Sequence, residues 1–192
     1  MAVRPVRIYG DPVLRQKSAP VTEFDESLRA LVADMFDTMA AYNGVGLAAN
    51  QVGVAQRVFV VDVPQEEGPN ERFAVINPVL EKREGHEKGE EGCLSMPGIV
   101  EDVVRAESLW LKGFDEFGKP FERKVSGYLA RAIQHEADHV DGVLFTDRLS
   151  IVTRQLLRKK LDELIRGEVP QGYHPSKGEK GSHGPKGEGA SS

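Results

Sequence analysis

The chain has 192 residues, enough for one domain with a substantial core and short for two. Its 40% hydrophobic and 29% charged residues are those of an ordinary soluble globular protein, and a net charge of −5 argues against nucleic-acid binding driven by bulk charge. No apolar run approaches the ~20 residues of a membrane span and the start has no charged-then-apolar secretory pattern, so no membrane association is expected and a cytoplasmic location is.

Residues 1–24 read as extended and turn-rich, with Gly10-Asp11-Pro12 as a turn and Pro5 and Pro20 excluding a long helix. From Asp25, a candidate N-cap, the positions Leu28, Leu31, Val32, Met35, Phe36 and Met39 fall at helical spacing and form a core stripe that Asn43-Gly44 stops. Gly44-Val45-Gly46-Leu47-Ala48-Ala49-Asn50-Gln51 follows. It lacks the second glycine pair and the Lys-Ser/Thr of a phosphate loop, and is either a tight helix-to-strand connection or a backbone built for close approach. Gln51, an amide directly after a run of small residues, favours the latter.

Arg57–Val63 and Phe73–Leu80 are expected strands, joined by a polar loop over Pro64–Glu71. The charged stretch Glu81–Glu90 reads as a solvated turn region with His86 on the surface. Val100–Leu111 alternates as a strand, and Asp115-Glu116-Phe117-Gly118 turns into another over Phe121–Val125. Ser126–Gly142 is a helix, with Ser126 as cap, Leu129, Ala130, Ile133, Ala137 and Val140 as its apolar stripe and Gly142 closing it. Ser150 caps a last helix with Leu156, Leu157, Leu161, Leu164 and Ile165 on one face and Arg154, Arg158, Lys159, Lys160 and Arg166 on the other. The expected fold is α+β, with antiparallel or mixed sheets around a central helix and helices at either end. Residues 1–167 form the domain, and 168–192, rich in Gly, Lys and Ser and including His174 and His183, are expected to be a disordered tail.

The central helix carries Gln134-His135-Glu136-Ala137-Asp138-His139. His135 and His139 lie one turn apart on one face, so both imidazoles can reach one metal ion, and Glu136 beside them can act on a metal-bound water without being a ligand. A catalytic site of this kind needs a third ligand. The metzincin pattern fails, because its last histidine position is Phe145. Glu163 downstream is one candidate, although an amphipathic helix already explains it. The other is Cys93, the single cysteine, in the Gly-containing polar stretch Glu91-Gly92-Cys93-Leu94-Ser95; being alone, it excludes an internal disulfide.

Three stretches, residues 44–51, 91–95 and 134–139, resemble the three motifs of the peptide deformylases in order and separation, and Tyr9-Gly10-Asp11-Pro12-Val13-Leu14 is similar to that family's opening. The resemblance spans roughly residues 7 to 166 and leaves the tail unaccounted for. One departure is Asn43, where many members place an acidic residue.

The resemblance implies a hydrolase that removes the formyl group from the N-terminal formyl-methionine of new polypeptides and releases formate. It implies a metal held by Cys93, His135 and His139, with Fe²⁺ as native ion replaceable by Zn²⁺, Ni²⁺ or Co²⁺, and Glu136 as acid–base. The Gln51 amide and the Leu94 N–H are the implied donors to the formyl oxygen. Val45, Gly46 and Gly92 are small enough for backbone pairing with an extended peptide, and Tyr128, Ala132 and Val45 are the candidate lining of a methionine pocket. Two rivals are a zinc protease using His135, His139 and Glu163, and a closed structural metal module, which needs a fourth protein ligand. The basic face of the last helix is a candidate contact for ribosomal RNA. The substrate would then be the nascent formyl-Met peptide, with no DNA partner.

Overall fold

The computed structural model of the chain describes residues 2–173. Its architecture follows from strand β2, Val58–Val63, whose residues reach both faces of a sheet. Val58 and Val60 pack into one core, while Phe59, Val61 and Val63 pack into another, and all five are fully buried. Alternation alone cannot show this, because a strand covered on both faces reads as one continuous apolar run.

Strands β1 (Gly46–Ala48), β2, β3 (Glu71–Glu84), β6 (Ser108–Phe114) and β7 (Pro120–Ser126) form a five-stranded sheet in the order β1-β2-β3-β6-β7. Every pairing in it is antiparallel. Helix α1, Glu26–Ala41, covers one face through Leu28, Leu31, Val32, Met35 and Met39, and α2, Gly127–Val140, covers the other through Leu129, Ala130, Ile133, Ala137 and Val140. The α+β fold is therefore as expected, with α2 central. A third core gathers Leu14, Met96, Ile99, Leu144, Phe145, Leu157 and Leu164 behind α2 and beneath α3, Ile151–Ile165.

Local signals set several boundaries. Asp25 accepts from Leu28 N–H at 3.0 Å and Ser150 from Thr153 N–H at 3.1 Å, so both caps form. At the end of α1 Asn43 has φ +56°, its N–H donates to Ala40 C=O and Gly44 N–H donates to Met39 C=O, which is a Schellman closure. Ser126 occupies the N-cap of α2 but makes no side-chain capping bond.

Three expectations are corrected. Glu81–Glu90 is not a solvated turn: β3 runs to Glu84, and β4, Glu87–Gly92, pairs antiparallel with β5, Val100–Arg105, in a separate two-stranded sheet. Its charges hid it, since the backbone pairs while most of the carboxylates face solvent, and the one that is buried, Glu91, has cationic partners. Val100–Leu111 is not one strand, because the chain leaves the small sheet after Arg105 and enters the large one at Ser108. On α3 only Leu157 and Leu164 are buried, whereas Leu156 and Ile165 are 78% and 58% exposed. The burying stripe is narrower than the sequence implied, because a single core edge lies beneath it. Residues 168–173 of the expected tail lie within the described residues; His174, His183 and the rest of 174–192 lie outside them.

Candidate active site

A cleft of about 450 Å³ opens between the free edge of the large sheet at residues 44–46 and the end of the small one at residues 90–92, with α2 as its floor. The cleft is lined by Val45, Gly46, Gln51, Gly92, Cys93, Leu94, Tyr128, Ala132, His135 and Glu136. The sheet edge exists because β1 has a neighbour, β2, on one side only. Gly46 is required here: a Cβ on it would run into the Glu136 carboxylate.

His135 and His139 sit one turn apart on α2 with ring centroids 5.0 Å apart. The loop after β4 brings Cys93 Sγ to 3.2 Å from His139 Nε2. The Cys93 sulfur and one nitrogen from each histidine all lie within 4.8 Å of one another, and no other such cluster of three or more His, Cys, Asp or Glu occurs among the described residues. Glu163 is on α3, away from this group, so the protease ligand set does not assemble. One sulfur and two imidazoles suit a divalent transition ion, and three protein ligands leave a fourth position open, so the residues present fit such a metal.

Charged groups behind this cluster orient His135. Glu91 Oε2 lies 2.9 Å from His135 Nδ1, which leaves that ring's Nε2 for coordination. Arg105 grips the Glu91 carboxylate at 2.7 and 2.9 Å and reaches Asp138 at 2.6 Å. Arg131 adds a bond to Glu91 at 3.1 Å, and Arg148 pairs with Asp138. Burial raises the Glu91 carboxyl, but the bonds from Arg105 and His135 outweigh it and hold the pKa at about 2. Arg105, Arg131 and Asp138 were given no role from the sequence. Asp138 stands inside the central motif, but Arg105 is 33 residues away from it and nothing local announces the pairing.

Glu136 is buried and its Oε2 has no hydrogen-bond partner. Burial pushes its pKa up to about 7, against the pull of His135. A carboxyl poised near neutrality, with a free oxygen in a cleft beside three candidate ligands, can shuttle protons. Burial and the neighbouring His135 hold His139 well below the ordinary histidine range.

Gln51 and Leu94 both line the cleft. Gln51 Oε1 accepts from Ala48 N–H at 2.8 Å, which orients its Nε2 towards Ser95 Oγ at 3.1 Å and Cys93 Sγ at 3.6 Å. Met96 N–H donates to Cys93 C=O at 2.9 Å. Since Cys93 C=O and Leu94 N–H point opposite ways across one trans peptide, the Leu94 N–H is turned away from that bond, and it has no partner among the described residues.

Residues 3–155 match the family model for polypeptide deformylase. The chain belongs to the peptide deformylase family. The deformylase of Alkalilimnicola ehrlichii is 47% identical over 166 residues, which cover 86% of this chain and 93% of that protein. Peptide deformylase 1 of Corynebacterium glutamicum is 53% identical over 156 residues, covering 81% and 92% respectively. Among solved structures, the peptide deformylase of Thermus thermophilus superposes with a TM-score of 0.80 at 43% identity, covering 86% of this chain and 99% of that one. That of Legionella pneumophila gives 0.78 at 45%, covering 87% and 98%. As a deformylase this chain is a metal-dependent hydrolase that takes the formyl group from the N-terminal methionine of nascent polypeptides. No helix among the described residues is long and apolar enough to cross a membrane.

Proposed function

We propose that this cleft deformylates nascent chains with Cys93, His135 and His139 as metal ligands, Glu136 as the acid–base, and Gln51 and Leu94 as donors to the formyl oxygen. The observation that carries this reading is the buried Glu136 carboxylate, one oxygen unpartnered, beside three convergent ligand atoms. A divalent ion bound there supplies Lewis acidity and a water acidified from 15.7 towards ~7. Glu136 accepts a proton from the attacking water as its oxygen bonds to the formyl carbon. The Gln51 amide and Leu94 N–H then donate to the oxygen that gains charge, and removing one such donor costs roughly 2.7–4 kcal/mol. Glu136 returns the proton to the methionine nitrogen as the C–N bond breaks, leaving formate and a free amine.

The substrate lies extended along the open edge of β1, pairing with backbone at Val45, Gly46 and Gly92 as an added strand. Tyr128 is 54% exposed at the cleft wall and Ala132 is one turn further along α2, which supports both as contacts for the methionine side chain. We assign Fe²⁺ as the native ion, with Zn²⁺, Ni²⁺ and Co²⁺ as substitutes; the thiolate–imidazole set supports a first-row transition ion, and metal analysis after anaerobic purification tests the choice. A cytoplasmic setting follows from the nascent substrate.

The basic face of α3 is proposed to dock on ribosomal RNA, supported by the exposure of Arg154, Arg158, Lys159 and Lys160. Ribosome co-sedimentation that is unchanged on reversing the charges of Arg158, Lys159 and Lys160 would exclude it. We also propose that the catalytic unit expected over 1–167 continues to Tyr173, supported by the contacts of Pro170 and Tyr173 with the loop after β4. The deciding assay is formate release from formyl-Met-Ala-Ser by the metal-loaded protein. Cleavage of internal bonds in unblocked peptides, with no formate, would exclude the assignment.

A further inference from the structure

We propose that Tyr173 is a positioning residue that sets the direction of the Leu94 N–H, an inference that rests on Leu94 serving as a donor. Beyond α3 the chain turns at Gly167, where Gly167 N–H donates to Leu164 C=O and Glu168 N–H to Glu163 C=O. It then crosses the loop after β4. Pro170 lies against Gly98, where a Cβ would come within 2.9 Å of the proline ring, and a turn closed by Tyr173 N–H to Pro170 C=O points the tyrosine into the cleft. There the Tyr173 hydroxyl donates to Leu94 C=O, and its ring stands 5.5 Å from that of Tyr42, on the same cleft as His135 and Glu136.

Leu94 is thereby held from both sides. The peptide before it is pinned through Cys93 C=O by Met96 N–H, and the carbonyl after it is pinned by Tyr173. The neighbouring Ser95 is fixed independently, its carbonyl by Tyr9 N–H and its hydroxyl by Gln51. Leu94 is thus the residue of this loop whose own carbonyl depends on the C-terminal segment. Burial keeps the Tyr173 phenol well above its ordinary pKa, so it stays protonated and a donor. None of residues 166–173 belongs to the three hydrophobic cores, so the contact bears on the site more than on the fold.

The test uses the full-length, metal-loaded protein and its Tyr173→Phe variant, which keeps the ring and loses only the hydroxyl. A donor aimed at charge that develops in the transition state affects kcat more than KM. The expected result with formyl-Met-Ala-Ser is therefore a fall of roughly 10-fold in kcat, with KM within about twofold and with metal content and thermal midpoint unchanged. An unchanged kcat overturns the proposal, and so does a fall that tracks lost metal or a lowered midpoint. Gln51→Ala, assayed alongside, reports on the donor reading by itself. A loss of kcat there with none in Tyr173→Phe removes only the tether, whereas no formate release by the unsubstituted protein removes the reading of the site on which the tether rests.

Discussion

Replacing Arg105 with methionine removes the cation at the centre of the buried network behind Cys93, His135 and His139 while keeping most of the side-chain volume. Arg105 and Glu91 are 3% and 4% exposed and Asp138 is 11%, so solvent cannot substitute for the lost charge. Three bonds of 2.6–2.9 Å disappear. Breaking a buried ion pair by removing one partner costs about 3–5 kcal/mol, because the other charge stays buried and unpaired. Here Glu91 keeps Arg131 and Asp138 keeps Arg148, so the lower end, about 3 kcal/mol, is expected. For a chain of this length that lowers the thermal midpoint by roughly 6–12 °C. Glu91 also orients His135, and loosening such an outer partner weakens metal binding by about 10–100-fold. Urea unfolding of the apoprotein and competition with a chelator read the two effects separately. A destabilisation under about 1 kcal/mol with unchanged metal affinity would show that Arg105 is a spectator and refute the argument.

Glu136→Ala is expected to keep its metal and lose more than ~100-fold in kcat, since only proton transfer is removed; retained turnover at full metal content would count against Glu136 as the acid–base. Cys93→Ser is expected to lose metal on dialysis with little change in fold, checked by elemental analysis and circular dichroism, and full loading would disqualify the sulfur as a ligand. Gly142→Ala combines a φ of +73° with a Cβ 2.6 Å from Arg15 C=O, so destabilisation of roughly 1–3 kcal/mol is expected in urea unfolding; an unchanged midpoint would mean that the turn after α2 relaxes freely.

Much of this molecule is written locally. Helical spacing from Leu28 to Met39, the Asp25 cap and the Asn43-Gly44 stop give α1 from sequence alone, because capping and periodicity act over one or two turns. The two histidines and Glu136 are legible for the same reason, since one helix brings them together. The β4–β5 hairpin was not legible. Its strand is masked by charge, and its stability comes from pairing with the later strand Val100–Arg105 and from the Glu91–Arg105 contact. The exposed Leu156 and Ile165 were misplaced because amphipathicity gives a direction for a helix but not the width of the surface that receives it.

By itself the sequence determined which residue types could bind a metal and move a proton, and three motifs in a familiar order were enough to name the family. Tertiary structure alone brought the Cys93 sulfur, more than forty residues away along the chain, within 4.8 Å of a nitrogen from each histidine, set Arg105 and Glu91 behind them, and returned Tyr173 from beyond the last helix to touch Leu94. The physical reason is range. Periodicity and capping are fixed by neighbours in the chain, whereas a buried charge or a ligand finds its partner only when packing brings distant segments within hydrogen-bonding distance.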